Sequence, residues 1–224
     1  MTFPVRGSRQ SYVRDALFGI ELLDGVTLQR ISAGVTVVAD GLQRTPFPNA
    51  SGVFVWLSED LTPLRRITID PDELPYDRVV LEPAQLQLPI TTVQLPPRVD
   101  YPFAAGITGL RGVLIEERVA QPVPVRDAEV RLRWLDENSV WRDAPTVSRT
   151  SARGGDFAVV LRLAPADIPL LDTNGAVTVR LRARRGANER ESADLKLPQG
   201  RIADPSNFPQ GPDALIFVWD ELQP

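Results

Sequence analysis

Ala128-Glu129-Val130-Arg131-Leu132-Arg133-Trp134-Leu135 alternates without a break: Val130, Leu132 and Trp134 share one phase, and Glu129, Arg131 and Arg133 the other. Successive side chains on a strand point to opposite faces, so this stretch predicts a strand with one face in a core and the other in solvent or against a partner. Val177-Thr178-Val179-Arg180-Leu181-Arg182-Ala183-Arg184 repeats the pattern, with Arg180, Arg182 and Arg184 in its polar phase. Around these two runs lie further strand signals at Thr146 to Thr150, Phe157 to Leu163 and Ser192 to Leu197. Strands at such spacing, separated by turns, predict an antiparallel sandwich.

The composition agrees with an all-β fold. Of the 224 residues, 21 are Pro and 15 are Gly, a density of breakers that leaves little room for long helices. Hydrophobic residues at 43% and charged residues at 24% are ordinary for a globular protein. Cys 0 removes disulfides, thiolate metal sites and a cysteine nucleophile, and His 0 removes the commonest general base and transition-metal ligand. A net charge of −4 argues against a general nucleic-acid binder. Lys196 is the only lysine beside 24 arginines, a bias that most often reflects a GC-rich genome and that also suits interfaces, where the arginine fork bonds bidentately. Met1 to Gln10 contains no apolar core of a signal peptide and no later stretch approaches 18 apolar residues. The expectation is a protein made in the cytoplasm, without membrane insertion, and released, if at all, as part of a particle.

The chain before residue 96 is less regular. Leu17 to Leu23 and Val35 to Ala39 are short apolar runs around a polar loop, Gly52 to Leu57 enters a strand from the turn-rich Thr45 to Ser51, and Ile67 and Ile69 share a face. Pro96-Pro97 marks a boundary. The expected organisation is an N-terminal arm at 1–11, a sandwich at 12–95, a linker at 96–105, a second sandwich at 106–201 and a tail at 202–224. Two motifs suggest duplication. Gly52-Val53-Phe54 answers Gly155-Asp156-Phe157, and Pro71-Asp72-Glu73-Leu74-Pro75 answers Pro165-Ala166-Asp167-Ile168-Pro169.

Gly112-Val113-Leu114-Ile115, the loop Pro122-Val123-Pro124-Val125, Ala128-Glu129-Val130 and Gly154-Gly155-Asp156-Phe157 together resemble the carboxypeptidase regulatory-like, or prealbumin-like, β-sandwich over about residues 106 to 185. The resemblance implies two tandem antiparallel Ig-like or prealbumin-like sandwiches, the first a divergent copy, and no catalytic residues or cofactor in either. By looser analogy, such chains are similar in kind to accessory proteins of phage tails and contractile injection particles.

Three groups of side chains invite a functional reading. Asp70, Asp72, Glu73 and Asp77 supply the hard oxygen ligands of calcium but lack a calcium loop's spacing, and the expectation is turn chemistry with no metal. Arg131, Arg133, Arg180, Arg182 and Arg184 would build a basic face if their strands share a sheet, and that face needs carboxylates, its own or those of an acidic partner. Ala214 to Trp219 is the most apolar run of the chain, and Leu215, Phe217 and Trp219 are candidate contacts, either in their own sheet or at a neighbour's edge. The sequence thus points to a non-enzymatic structural or adaptor protein whose partners are other subunits, copies of itself included. A carbohydrate- or surface-binding module, presenting Trp141, is the alternative.

Overall fold

The computed structural model describes residues 16–57, 61 and 63–224, so the expected arm at 1–11 lies outside the described residues. The fold is all-β. Sixteen strands are described: β1 (Ala16–Asp24), β2 (Thr36–Asp40), β3 (Phe47–Pro48), β4 (Phe54–Leu57), β5 (Arg66–Asp70), β6 (Val79–Leu81), β7 (Ile90–Leu95), β8 (Gly109–Ile115), β9 (Glu129–Leu135), β10 (Trp141–Arg149), β11 (Asp156–Val160), β12 (Ala176–Arg185), β13 (Asn188–Glu191), β14 (Leu195–Pro198), β15 (Ile202–Ala203) and β16 (Ile216–Val218). The helical turns among the described residues are short 3-10 segments, and no helix there is long and apolar enough to cross a membrane.

Four sheets enclose two large cores. In the first half, β3-β4-β1-β7 faces β2-β5-β6 across Phe18, Ile20, Trp56, Ile67, Ile69 and Leu95. Phe18 and Trp56 stack there, their ring centroids 4.5 Å apart. In the second half, β11-β8-β15, with β16 also on β8, faces β10-β9-β12-β13, with β14 also on β12. Their shared core includes Leu110, Leu132, Phe157, Leu181, Leu197 and Phe217. The strict alternation read from Ala128 to Leu135 is realised: Val130, Leu132 and Trp134 are buried and Glu129, Arg131 and Arg133 half-buried.

Pairing recurs between the halves. β1 is flanked by β4, antiparallel, and by β7, parallel; β8 is flanked by β11, antiparallel, and by β15 and β16, parallel. On the opposing sheets β2 pairs β5 as β9 pairs β12. The Gly-x-Phe motif occupies the same place in both: Gly52 at φ 78° and Gly155 at φ 70° make the left-handed turn that opens β4 and β11. At Gly155 a Cβ would also fall 2.3 Å from the Leu114 carbonyl oxygen. The second motif does not correspond. Pro71 follows β5, whereas Pro165 lies between β11 and β12, so the two proline turns sit on different connections.

The stretch 202–224, expected as a tail, belongs to the second core. β15 and β16 both add to β8, and Leu215, Phe217, Trp219 and Leu222 are buried in that core. The connector Pro205 to Pro212 carries the chain from one end of β8 to the other and buries Phe208 in the same core on the way. At about 1.5–3 kcal/mol for each large apolar side chain removed from water, these four contribute of the order of 6–12 kcal/mol, comparable with the whole stability of a domain. Truncation after residue 211 is therefore expected to unfold the second half and raise binding of a hydrophobic dye, while β1 to β7 keep their strand signal by circular dichroism. Unchanged urea unfolding of the truncated chain would refute the placement of β16.

Candidate functional site

The register of β9 on β12 sets Arg131 opposite Arg182 and Arg133 opposite Arg180 on the outer face of the sheet. Like charges placed directly across a sheet repel. The chain answers with five carboxylates of its own: Glu129, Asp143, Glu189, Glu191 and Asp194. Glu191 sits at the centre. Its Oε1 accepts from Arg133 Nη1 at 2.9 Å and from Arg182 Nε and Nη2 at 2.9 and 2.7 Å. Glu129 accepts from Arg131 and from Arg184, whose Nη2 is 2.6 Å away, and Asp194 takes Arg180 Nε at 2.7 Å. Asp143 lies 3.2 Å from Arg133 and 3.4 Å from Arg182. The two strands do share a sheet, so all five arginines come together, and each meets a carboxylate of this chain.

Partial burial pushes the Glu191 and Glu129 carboxyls up, but the arginine hydrogen bonds outweigh it and hold both below the ordinary carboxylate value. A depressed carboxylate contributes stability above its unfolded pKa and loses it as pH falls through the folded one. Glu191→Gln is expected to cost about 1–3 kcal/mol near neutral pH, because it leaves Arg133 and Arg182 underpaired, with the deficit shrinking in acid. Urea unfolding at neutral and acid pH reads both effects. Trp141, the candidate sugar platform, already has cationic neighbours: the Arg180 guanidinium lies 4.2 Å from its ring centroid, and that of Arg133 lies 6.0 Å away.

Leu215, Phe217 and Trp219 are removed from the surface. Phe217 meets Phe157 with centroids 5.8 Å apart, and Arg185 and Arg190 lie 4.8 and 5.2 Å from the Trp219 ring. Arg190 Nη1 also donates to the Trp219 carbonyl at 2.6 Å, and the backbones of Glu191 and Gln223 exchange bonds of 2.7 and 2.8 Å. A partner could reach these three side chains only by displacing β16 from its own sheet.

The acidic group divides. Asp72 accepts from Thr36 Oγ1 at 3.2 Å and its amide donates to Asp70 at 3.2 Å, so these two close a turn. Asp77 lies elsewhere, at the junction of the halves. Among the described residues no group of three or more acids is arranged to hold a metal ion.

The junction is the part that residue spacing did not reveal. Asp24, buried at the end of β1, accepts from Val26 N at 2.7 Å and Thr27 Oγ1 at 2.8 Å, and Tyr101 Oη donates to it at 2.6 Å. Burial raises the Asp24 carboxyl, but the hydrogen bonds from Tyr101, Val26 and Thr27 outweigh it and hold the group below the usual range. The phenol Oη of Tyr101 is correspondingly pushed up, first by burial and then by Asp24. Tyr76, Tyr101 and Phe103 follow one another at centroid spacings of 5.6 and 4.8 Å, and the Arg111 guanidinium covers Phe103 at 5.2 Å while donating to the Tyr101 carbonyl at 2.9 Å. Val26, Tyr101 and Val160 form one buried cluster across the halves. Arg162 reaches back to the Gly25 carbonyl and the Gln94 side chain, each at 3.2 Å. The expected linker at 96–105 is thus pinned on both sides.

The Asp77 side chain is not fully satisfied at this junction: its Oδ2 is buried without a hydrogen-bond partner. Burial raises its carboxyl from 3.8 to about 6, against the pull of Arg98 and Arg149 and with the push of Asp100 and Asp156. The sign is the reverse of Glu191. A raised folded-state pKa makes the native state hold the proton more tightly, so stability is highest below the unfolded value and falls as pH rises through about 6. Between pH 5 and 7 the fall should be of the order of 1–3 kcal/mol, and Asp77→Asn should flatten it and stabilise the protein at pH 7. Denaturant melts across that interval test the point; an unchanged slope in the variant would refute it. Comparison with protein families, with characterised proteins and with solved structures returned no match.

Proposed function

We propose that the protein is a non-enzymatic structural or adaptor subunit, two prealbumin-like sandwiches set in line, that makes protein contacts in a larger assembly. The observation that carries this reading is the junction. A buried Tyr101–Asp24 bond, an aromatic ladder and the pinned segment around Pro97 hold the halves at one relative orientation, which is what a spacer requires and what two independently tethered binding modules do not. The sandwich reading of each half draws its support from the recurrence of pairing around β1 and β8. A sugar-binding alternative loses its best platform, since Arg180 occupies a face of Trp141. The type of assembly we put forward is a phage tail-like or contractile injection particle, on architecture alone. A tagged chain recovered from its native source should bring down other protein subunits in fixed proportion and sediment with a large particle. Recovery of the chain alone, together with binding to a glycan array, would overturn the proposal.

A further inference from the structure

Phe47, Val55, Gly19 and Ile90 lie in one row across β3, β4, β1 and β7, because each pairs directly with the next. Their side chains point away from the core, since their neighbours Phe54, Trp56, Phe18, Ile20 and Val93 fill it. Phe47 is 45% and Ile90 51% exposed and Leu88 just before β7 reaches 58%, whereas Val55 inside the row is only 9% exposed. Gly19 leaves the row low in the middle, where a Cβ would fall 2.9 Å from Val53 Cγ1. Among the described residues Glu21 is the one ionisable side chain that these strands direct outward, and Arg30 neutralises it. The other outward faces differ. On β2-β5-β6, Val38 and Val80 are separated by Thr68 and flanked by the Asp40–Arg66 pair, and on β10-β9-β12-β13 the arginine and carboxylate network covers the sheet.

The equivalent face of the second half shows what such a surface does. Ala158 and Val160 on β11 correspond in pairing to Val55 and Leu57 on β4. Both are almost fully buried although they point away from their own core, and Val160 is covered by Val26 and Tyr101. Val26 sits on the connection from β1 to β2. The matching connection of the second half, from β8 to β9, exposes Val119 and Val123, 47% and 53%, and its Arg118 lies 3.9 Å from Glu221. The first half therefore presents this face with Phe47 and Ile90 exposed, and the second half exposes the connection that corresponds in chain order to the one covering Val160.

We propose that the outer face of β3-β4-β1-β7 docks the β8–β9 loop of a second copy of this chain, head to tail. The inference rests on the assembly reading above and names one of its partners. Such a contact joins two different surfaces, so it generates rings or filaments, not closed twofold dimers. Light scattering and sedimentation of the purified chain over about two decades of concentration should show mass rising beyond a single chain. Ile90→Glu and Val119→Glu, both at exposed positions, should each weaken association at least about tenfold with melting unchanged. An equal mixture of the two variants should stop at a two-chain complex, because each supplies the end that the other lacks. Two variants that fail to pair, or a wild-type chain that stays single throughout, would overturn the proposal. So would a chain lacking residues 1–15 that associates where the full chain does not, since that gives the face to the chain's own N-terminal stretch. A single wild-type chain that still brings down other subunits from its native source would end this inference and leave the assembly reading standing; recovery of no subunit at all would end both.

Discussion

One hydrogen bond fixes how the two cores meet: the Tyr101 hydroxyl donates to Asp24, 77 residues earlier, in a buried setting. The carboxylate has two tasks. It holds the turn after β1 through Val26 and Thr27, and it anchors the segment that leads into the second half. A buried carboxylate with no partner would be costly, and here every acceptor direction used is met by a donor, which leaves the pair favourable on balance. With Tyr101 fixed, Phe103 and Arg111 stack behind it, and Val26 closes over Val160. The covered face of β11 follows from that one anchor.

Asp77 works against the same junction. Its backbone N–H donates to the Pro96 carbonyl at 2.8 Å, so the residue cannot leave, yet its carboxylate enters a site that gives Oδ2 nothing to accept. Arg98 and Arg149 act on it only through space, and Arg98 is bound to Asp100 at 2.6 Å. The junction thus combines a strong anchor with one carboxyl that prefers its proton, and the two respond oppositely to pH.

Much of the second half was legible because period-2 alternation is a local property. Val130, Leu132 and Trp134 declare their face by spacing alone, and so do the five arginines. Which carboxylates would neutralise those arginines was legible only in part. Glu129, Glu189 and Glu191 stand close by in sequence, whereas Asp143 and Asp194 arrive through the register of β10 and the connection after β13. The apolar run at the C-terminus announced burial but not its destination, since a strand that joins β8 in parallel needs no turn signal linking the two. The pairing of Tyr101 with Asp24 left no signal at all. A tyrosine in a proline-rich connector is ordinary, and Asp24-Gly25 has a sufficient explanation as a turn. The proline motifs misled for a related reason: Pro-x-acid-aliphatic-Pro is turn chemistry, and turns recur on any connection.

The two halves differ in their outward faces. Each half presents two outward sheet faces, and the pairing scheme makes them comparable. In the second half one such face packs against the first half and the other carries its own network of ion pairs. In the first half the face equivalent to the packed one keeps Phe47 and Ile90 in water, with Glu21 already neutralised. Apolar area left exposed on a sheet with strand edges carries an aggregation risk. Nothing in the first core requires Phe47 or Ile90 to be large and apolar, because both point away from it. A polar side chain would serve the strand equally well and lower that risk, and the proposed docking of a second copy would give the apolar groups at these outward positions something to pack against.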